Sequence, residues 1–163
     1  MHVLFLPSWY PAYPDDPFGS FFREQALSIQ SAGAKVGVVA PRLVSLAQPF
    51  KSLKASRRIC SELDEGLITY RQAILNTTPK LWHLNARRIA NAGYKLFCEY
   101  CDEHGMPDII HVQSTIMCGA VATKIKKQAG VPFVVCEHSS AFARGFMPPA
   151  GKEIIRDVGA QAS

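Results

Sequence analysis

His2-Val3-Leu4-Phe5-Leu6-Pro7-Ser8-Trp9-Tyr10-Pro11 opens the chain with a short apolar run that breaks at a proline into a turn-rich stretch, and Gly19-Ser20-Phe21-Phe22 then begins a helical pattern. Four consecutive apolar residues are too few for a helix and suit a strand buried on both faces. The pattern repeats at the far end of the chain, where Phe133-Val134-Val135-Cys136 runs into Glu137-His138-Ser139-Ser140. In an open parallel α/β sheet, ligands bind in the crevice outside the carboxyl ends of the strands. These two strand-to-loop junctions are therefore the first places to look for chemistry.

Between them, short apolar runs alternate with segments of 3.6-residue period. The expected strands are 2–6, 35–40, 67–71, 108–112 and 133–136. The expected helices are 19–32, 81–103, 116–129 and one starting near Ala150. Phe22, Ala26 and Ile29 form the inner stripe of the first helix, and Gly33 ends it. Ile89, Ala92, Gly93, Leu96, Phe97 and Tyr100 form that of the long one. Pro41 is expected to close the second strand, and 42–65 reads as less regular. This alternation predicts an α/β fold: a Rossmann-like, doubly wound, mostly parallel sheet with helices on both faces.

A length of 163 residues suits one domain. Hydrophobic content of 48% and charged content of 19% exclude a disordered or fibrous chain. No run approaches the roughly 18 apolar residues of a membrane span, and the N-terminus lacks the basic flank of a signal peptide, so a cytoplasmic protein is expected. Five cysteines, an odd number, fit reduced thiols. Cys98 and Cys101 have CxxC spacing, but inside a helical pattern, which favours a structural role over redox or zinc chemistry. A net charge of +5 points to anionic partners such as phosphate groups, nucleotides or a lipid surface. No nucleic-acid-binding motif accompanies it, so nucleic acid is not the expected partner. Lys51, Lys54, Arg57 and Arg58 would share one face if their segment is helical, with Leu43, Leu46, Phe50 and Leu53 nearby, which suits peripheral contact with an anionic membrane. A solvated charged face is the plainer alternative, and Pro49 interrupts the pattern.

Gly19 and Ser20 at the start of the first helix form a candidate anion cradle, because helix N-termini carry unpaired N–H groups and partial positive charge. The competing reading is an ordinary glycine cap. His138 can hydrogen-bond a hydroxyl or sense charge near neutral pH, or be a satisfied structural histidine. Glu137, Ser139 and Ser140 offer further polar groups, or cap their own loop backbone. Gln113 and Ser114, at the end of the 108–112 strand, are expected to point toward the same crevice, whereas His111 reads as a core residue. No set of nucleophile, base and acid is evident.

Pro7-Ser8-Trp9-Tyr10-Pro11, Gly19-Ser20-Phe21-Phe22-Arg23-Glu24-Gln25-Ala26, Asp108-Ile109-Ile110-His111-Val112-Gln113-Ser114 and Glu137-His138-Ser139-Ser140 together resemble the N-terminal half of a family 4 glycosyltransferase, a retaining enzyme of the GT-B fold. The resemblance covers nearly the whole chain. It implies transfer of a sugar from a nucleotide-diphosphate sugar to a glycan or lipid-linked acceptor, in bacterial surface polysaccharide synthesis, with no cofactor or metal. It places Gly19 and Ser20 against the donor diphosphate and His138 near the reacting sugar as the catalytic residue. Gln113, Ser114, Glu137, Ser139 and Arg144 would form the acceptor or sugar rim. It further implies that a C-terminal donor-binding domain, with its paired glutamates, is missing from this chain, and that the isolated domain is inactive. A sugar-nucleotide epimerase of the same architecture and a non-catalytic Rossmann-like binding domain remain the alternatives.

Overall fold

The structure is a computed structural model that describes residues 1–13, 15–45 and 59–163, with the side chains of Phe142 and Ala143 excepted. Lys51, Lys54, Arg57 and Arg58, and the basic face expected of them, lie outside the described residues.

The elements follow in the order β1 (His2–Pro7), α1 (Ser20–Ser31), β2 (Lys35–Ser45), β3 (Cys60–Asp64), β4 (Leu67–Asn76), α2 (Trp82–His104), β5 (Ile109–Gln113), α3 (Thr115–Ala129), β6 (Phe133–Cys136), α4 (Ser140–Ala143) and α5 (Pro149–Gly159). The six strands form one sheet in the order β3-β4-β2-β1-β5-β6. All neighbours are parallel except β3 and β4. The protein has the Rossmann-like, doubly wound α/β fold expected from its sequence.

Strand alternation divides the core into two layers. Leu4 and Leu6 of β1, Ile110 and Val112 of β5 and Phe133 of β6 face α2, α3 and α5, which supply Leu96, Phe97, Tyr100, Val121, Ile125, Ile154 and Val158. The intervening Val3 and Phe5 join Val36, Val38 and Leu67 under Ala26 of α1. Each large apolar side chain fully buried here contributes about 1.5–3 kcal/mol. Close packing also requires bare glycines: a Cβ on Gly37 would lie 2.2 Å from the Tyr100 hydroxyl, and one on Gly93 would lie 2.5 Å from Val121 Cγ1.

Two expectations are corrected. Pro41 does not close β2, which continues to Ser45, and β4 runs on beside it to Asn76. Beyond Val38, β2 has parted from β1 and pairs with β4 alone, so a residue without an N–H is tolerated there. The less regular stretch also contains a strand. β3 pairs antiparallel with β4 through a two-residue turn, Glu65-Gly66, in which both residues have positive φ (50° and 93°), the geometry that matches the twist of a hairpin.

Candidate functional site at the carboxyl edge of the sheet

The chain leaves β1 for β2 and β4 on one side and returns to β5 and β6 on the other, so the strand order reverses between β1 and β5. Pro7 and Gln113 pair at the end of that junction, and the Ser8 N–H continues the ladder to the Gln113 carbonyl at 2.9 Å. This is the topological switch point, where a crevice opens in doubly wound sheets.

Ser8 and Glu137 organise it. The Ser8 hydroxyl donates to the Ser114 carbonyl at 2.6 Å and accepts from the N–H groups of Met117 and Cys118 at 3.3 and 3.2 Å. The Glu137 carboxylate, reaching across from the end of β6, accepts from the Ser114 hydroxyl (2.7 Å), the Thr115 N–H (2.9 Å), the Thr115 hydroxyl and the Ser139 N–H (2.7 Å). The N-terminus of α3, with its unpaired donors and positive dipole end, is thus occupied by the protein's own oxygens. Burial by itself would raise the Glu137 pKa, but the bonds from Thr115, Ser114 and Ser139 outweigh it and hold the carboxyl below its ordinary 4.5. Between these groups Ser114 adopts φ 65°, ψ 127°, a strained backbone for a residue with a Cβ. Three bonds hold it there: its N–H to the Cys136 carbonyl, its carbonyl to Ser8 and its hydroxyl to Glu137.

His138 sits one residue beyond this clamp. Its ring lies edge-on to Phe21 and Phe22, at centroid distances of 5.2 and 5.5 Å. Its Nε2 is 2.9 Å from Gln113 Oε1. Gln113 Nε2 in turn lies 3.2 Å from Nε2 of His111, which packs on Phe5. Burial, and then the neighbouring His138, lower the His111 pKa.

Gly19 caps α1 with φ 85°, close to His138 through the two phenylalanines that follow it. Its bare face is turned to the chain itself: a Cβ would lie 2.8 Å from the Tyr10 nitrogen and 2.9 Å from the Trp9 carbonyl carbon. The Ser20 N–H points back to the Pro17 carbonyl at 3.4 Å, and that of Phe22 to the Gly19 carbonyl at 3.0 Å. The fold therefore brings together Gly19, Ser20, Gln113, Ser114, Glu137, His138 and Ser139, but with different exposure. Gln113 and Ser114 are completely buried and lie beneath the rim rather than on it. His138 is exposed upon it. Arg144, on the turn after α4, is exposed, and its side chain has no partner among the described residues.

A cleft of about 610 Å³ opens beside this rim, on the β2 and β4 side. Ser8, Trp9, Phe18, Arg42, Gln72 and Met117 line it, with Arg71 at its edge. Sequence inspection passed over these residues, apart from those in the first loop. Trp9, which lines the cleft, stacks on Phe22 at 6.2 Å and 14°, and Phe22 in turn touches His138. Arg71 is fully engaged: it bonds Glu62 at 2.5 Å, Asp64 at 2.9 Å and the Pro11 carbonyl, and lies over the Tyr10 ring. Arg23 of α1 reaches the same Asp64 at 3.3 Å and Glu65 at 3.1 Å. This ion cluster, buried at Arg23 and Asp64, fixes the first loop to the β3–β4 hairpin.

The Cys98 and Cys101 thiols are both free, and burial, with Cys98 and Asp102 nearby, raises the Cys101 pKa to about 11. Among the described residues no three His, Cys, Asp or Glu side chains gather as metal ligands, and no helix is long and apolar enough to cross a membrane. No model of a known protein family matches the sequence, and no curated protein is similar to it.

Proposed function

We propose that this chain is the acceptor-side domain of a glycosyltransferase that moves a sugar from a nucleotide-diphosphate sugar to a glycan or lipid-linked acceptor. The observation that carries the reading is convergence. Each of the four segments that resemble the family 4 enzymes contributes to one junction at the switch point, either on its rim or directly beneath it: Ser8 bonds Ser114, Ser114 bonds Glu137, and Phe21 and Phe22 seat His138.

On this reading the chemistry needs positioning and charge stabilisation more than a nucleophile, since an oxocarbenium-like centre and a departing diphosphate both develop charge. His138, exposed and held by its neighbours, contributes an oriented polar group beside the reacting sugar. The cleft takes the acceptor: Trp9, Phe18 and Met117 offer apolar faces to sugar rings or a lipid stem, and Arg42 and Gln72 offer donors to hydroxyls or a phosphate. The Glu137 clamp on α3 supports the site by holding its shape. Most of the grip on the donor falls to a further α/β domain.

The test joins this domain to its donor-binding partner and screens nucleotide-diphosphate sugars against glycan and lipid-linked acceptors for transfer of labelled sugar. Transfer is expected for at least one pair. In that enzyme His138→Ala should lower kcat on the order of tenfold to a hundredfold while changing donor affinity less, because the group acts where charge develops. Absence of transfer with every pair, or an unchanged kcat in the variant, overturns the corresponding part of the reading.

A further inference from the structure

We propose that Gln113 is a positioning residue that fixes His138 and His111 in opposite tautomers, leaving Nδ1 of His138 as the ring nitrogen presented to a ligand. The inference about the tautomers stands on hydrogen-bond chemistry alone. The statement about what His138 meets rests on the transferase reading.

A carboxamide has one atom that only accepts and one that only donates. Gln113 Oε1 faces His138 Nε2 at 2.9 Å, so that nitrogen must carry a hydrogen and donate. Gln113 Nε2 faces His111 Nε2 at 3.2 Å, so that nitrogen must be bare and accept, which puts the His111 proton on Nδ1. The two lengths agree with this orientation, since the shorter contact joins nitrogen to oxygen and the longer joins two nitrogens. Gln113 has no exposure to solvent through which to exchange these bonds for water. His111 is held against Phe5 at 4.8 Å, and T-shaped contacts with Phe21 and Phe22 fix the ring plane of His138.

The consequence for function is specific. With Nε2–H committed to Gln113, proton exchange and hydrogen bonding with a ligand fall to Nδ1 of His138. In its neutral form that atom is an acceptor for a sugar hydroxyl. An unconstrained imidazole would sample both tautomers and present the wrong atom for part of the time.

Nitrogen-15 spectra correlating ring nitrogens with ring protons read tautomers directly. They can be recorded on this chain at about pH 8, where ordinary imidazoles are neutral. The expected result is a bare Nδ1 in His138 together with a bare Nε2 in His111. Gln113→Leu, or Gln113→Met if the first variant does not fold, should return both rings to averaged shifts. The same tautomer in both rings, the reversed pair, or an unchanged spectrum in a folded variant overturns the inference; the wild-type spectrum suffices if neither variant folds. In the transfer assay the substitution should reduce kcat about tenfold with little change in KM. Opposite tautomers in a protein that transfers no sugar would leave the Gln113 inference standing and remove the transferase reading, whereas transfer with matched tautomers would do the reverse.

Discussion

At Glu137 a single carboxylate accepts four hydrogen bonds from three residues, and its ionised form therefore helps to hold the junction together. Its folded pKa lies below the ordinary 4.5. A group so shifted contributes stability that is fully present above its unfolded pKa and is lost as the pH falls through its folded pKa. Glu137→Gln should cost about 1 kcal/mol at neutral pH, solvent access keeping the loss at the low end for charged hydrogen bonds. That difference from wild type should shrink as the pH is lowered through and below 4.5, as urea unfolding at a series of pH values will measure. Ser114 next to it permits strain to be separated from bonding. Ser114→Ala keeps a Cβ at φ 65° and loses the bond to Glu137, while Ser114→Gly loses the same bond but relieves the backbone. The glycine variant should be the more stable by about 1 kcal/mol, the scale of such strain. Equal stabilities would show that the positive φ costs nothing.

The elements show why some of this was legible and some was not. β1, β5, β6 and the helices α1, α2 and α3 are written in apolar periodicity, and the structure reproduces their bounds to within a residue or two. β3 is polar and exposed except at Asp64, so periodicity is silent there. Its only local sign is Asp64-Glu65-Gly66, a turn whose glycine accepts positive φ. Pro41 misled because a proline ends a strand that has two partners, and whether β2 still has two partners at that point is a property of the sheet. At the site, His138 and the glycine of the first helix could be picked out from strand-to-loop junctions. The ties between Ser8 and Ser114, or Gln113 and His138, depend on parallel register, which no local pattern encodes. Helix packing offers a further test. Gly93 of α2 faces Val121 of α3 and Pro41 of β2, with 2.5 and 3.1 Å available to a Cβ. Gly93→Ala gains helix propensity of up to about 1 kcal/mol but must force these elements apart, an overpacking cost of about 1–3 kcal/mol. A net loss in denaturant midpoint with an unchanged slope is expected, and a gain would mean that the α2–α3 contact yields readily.

Across the whole molecule, the two faces of the sheet are unequally covered. α2, α3 and α5 bury most of the large side chains, whereas α1 is the main helical cover of the other layer. That thinner layer carries Gly19, Ser20 and the Phe21–Phe22 seat of His138, so the rim rests on the less securely packed side. Regions with fewer buried apolar contacts open at lower free energy than the global transition. What offsets this for α1 is the Arg23–Asp64–Arg71 cluster, which fastens the helix and the first loop to the β3–β4 hairpin. Native-state hydrogen exchange should accordingly find α1 amides opening below the free energy of β1, β5 and α3. Asp64→Asn should widen that gap: removing the shared charge leaves the buried Arg23 and the half-buried Arg71 with only the more exposed Glu65 and Glu62 as charged partners, a loss smaller than the about 3–5 kcal/mol of breaking a fully buried pair outright. The α1 amides should lose more protection than those of α3, because α3 is anchored independently through Ser8 and Glu137. Equal losses in the two helices would mean that the ion cluster supports the molecule as one cooperative unit, and that the rim has no separate mobility through which a ligand could order it.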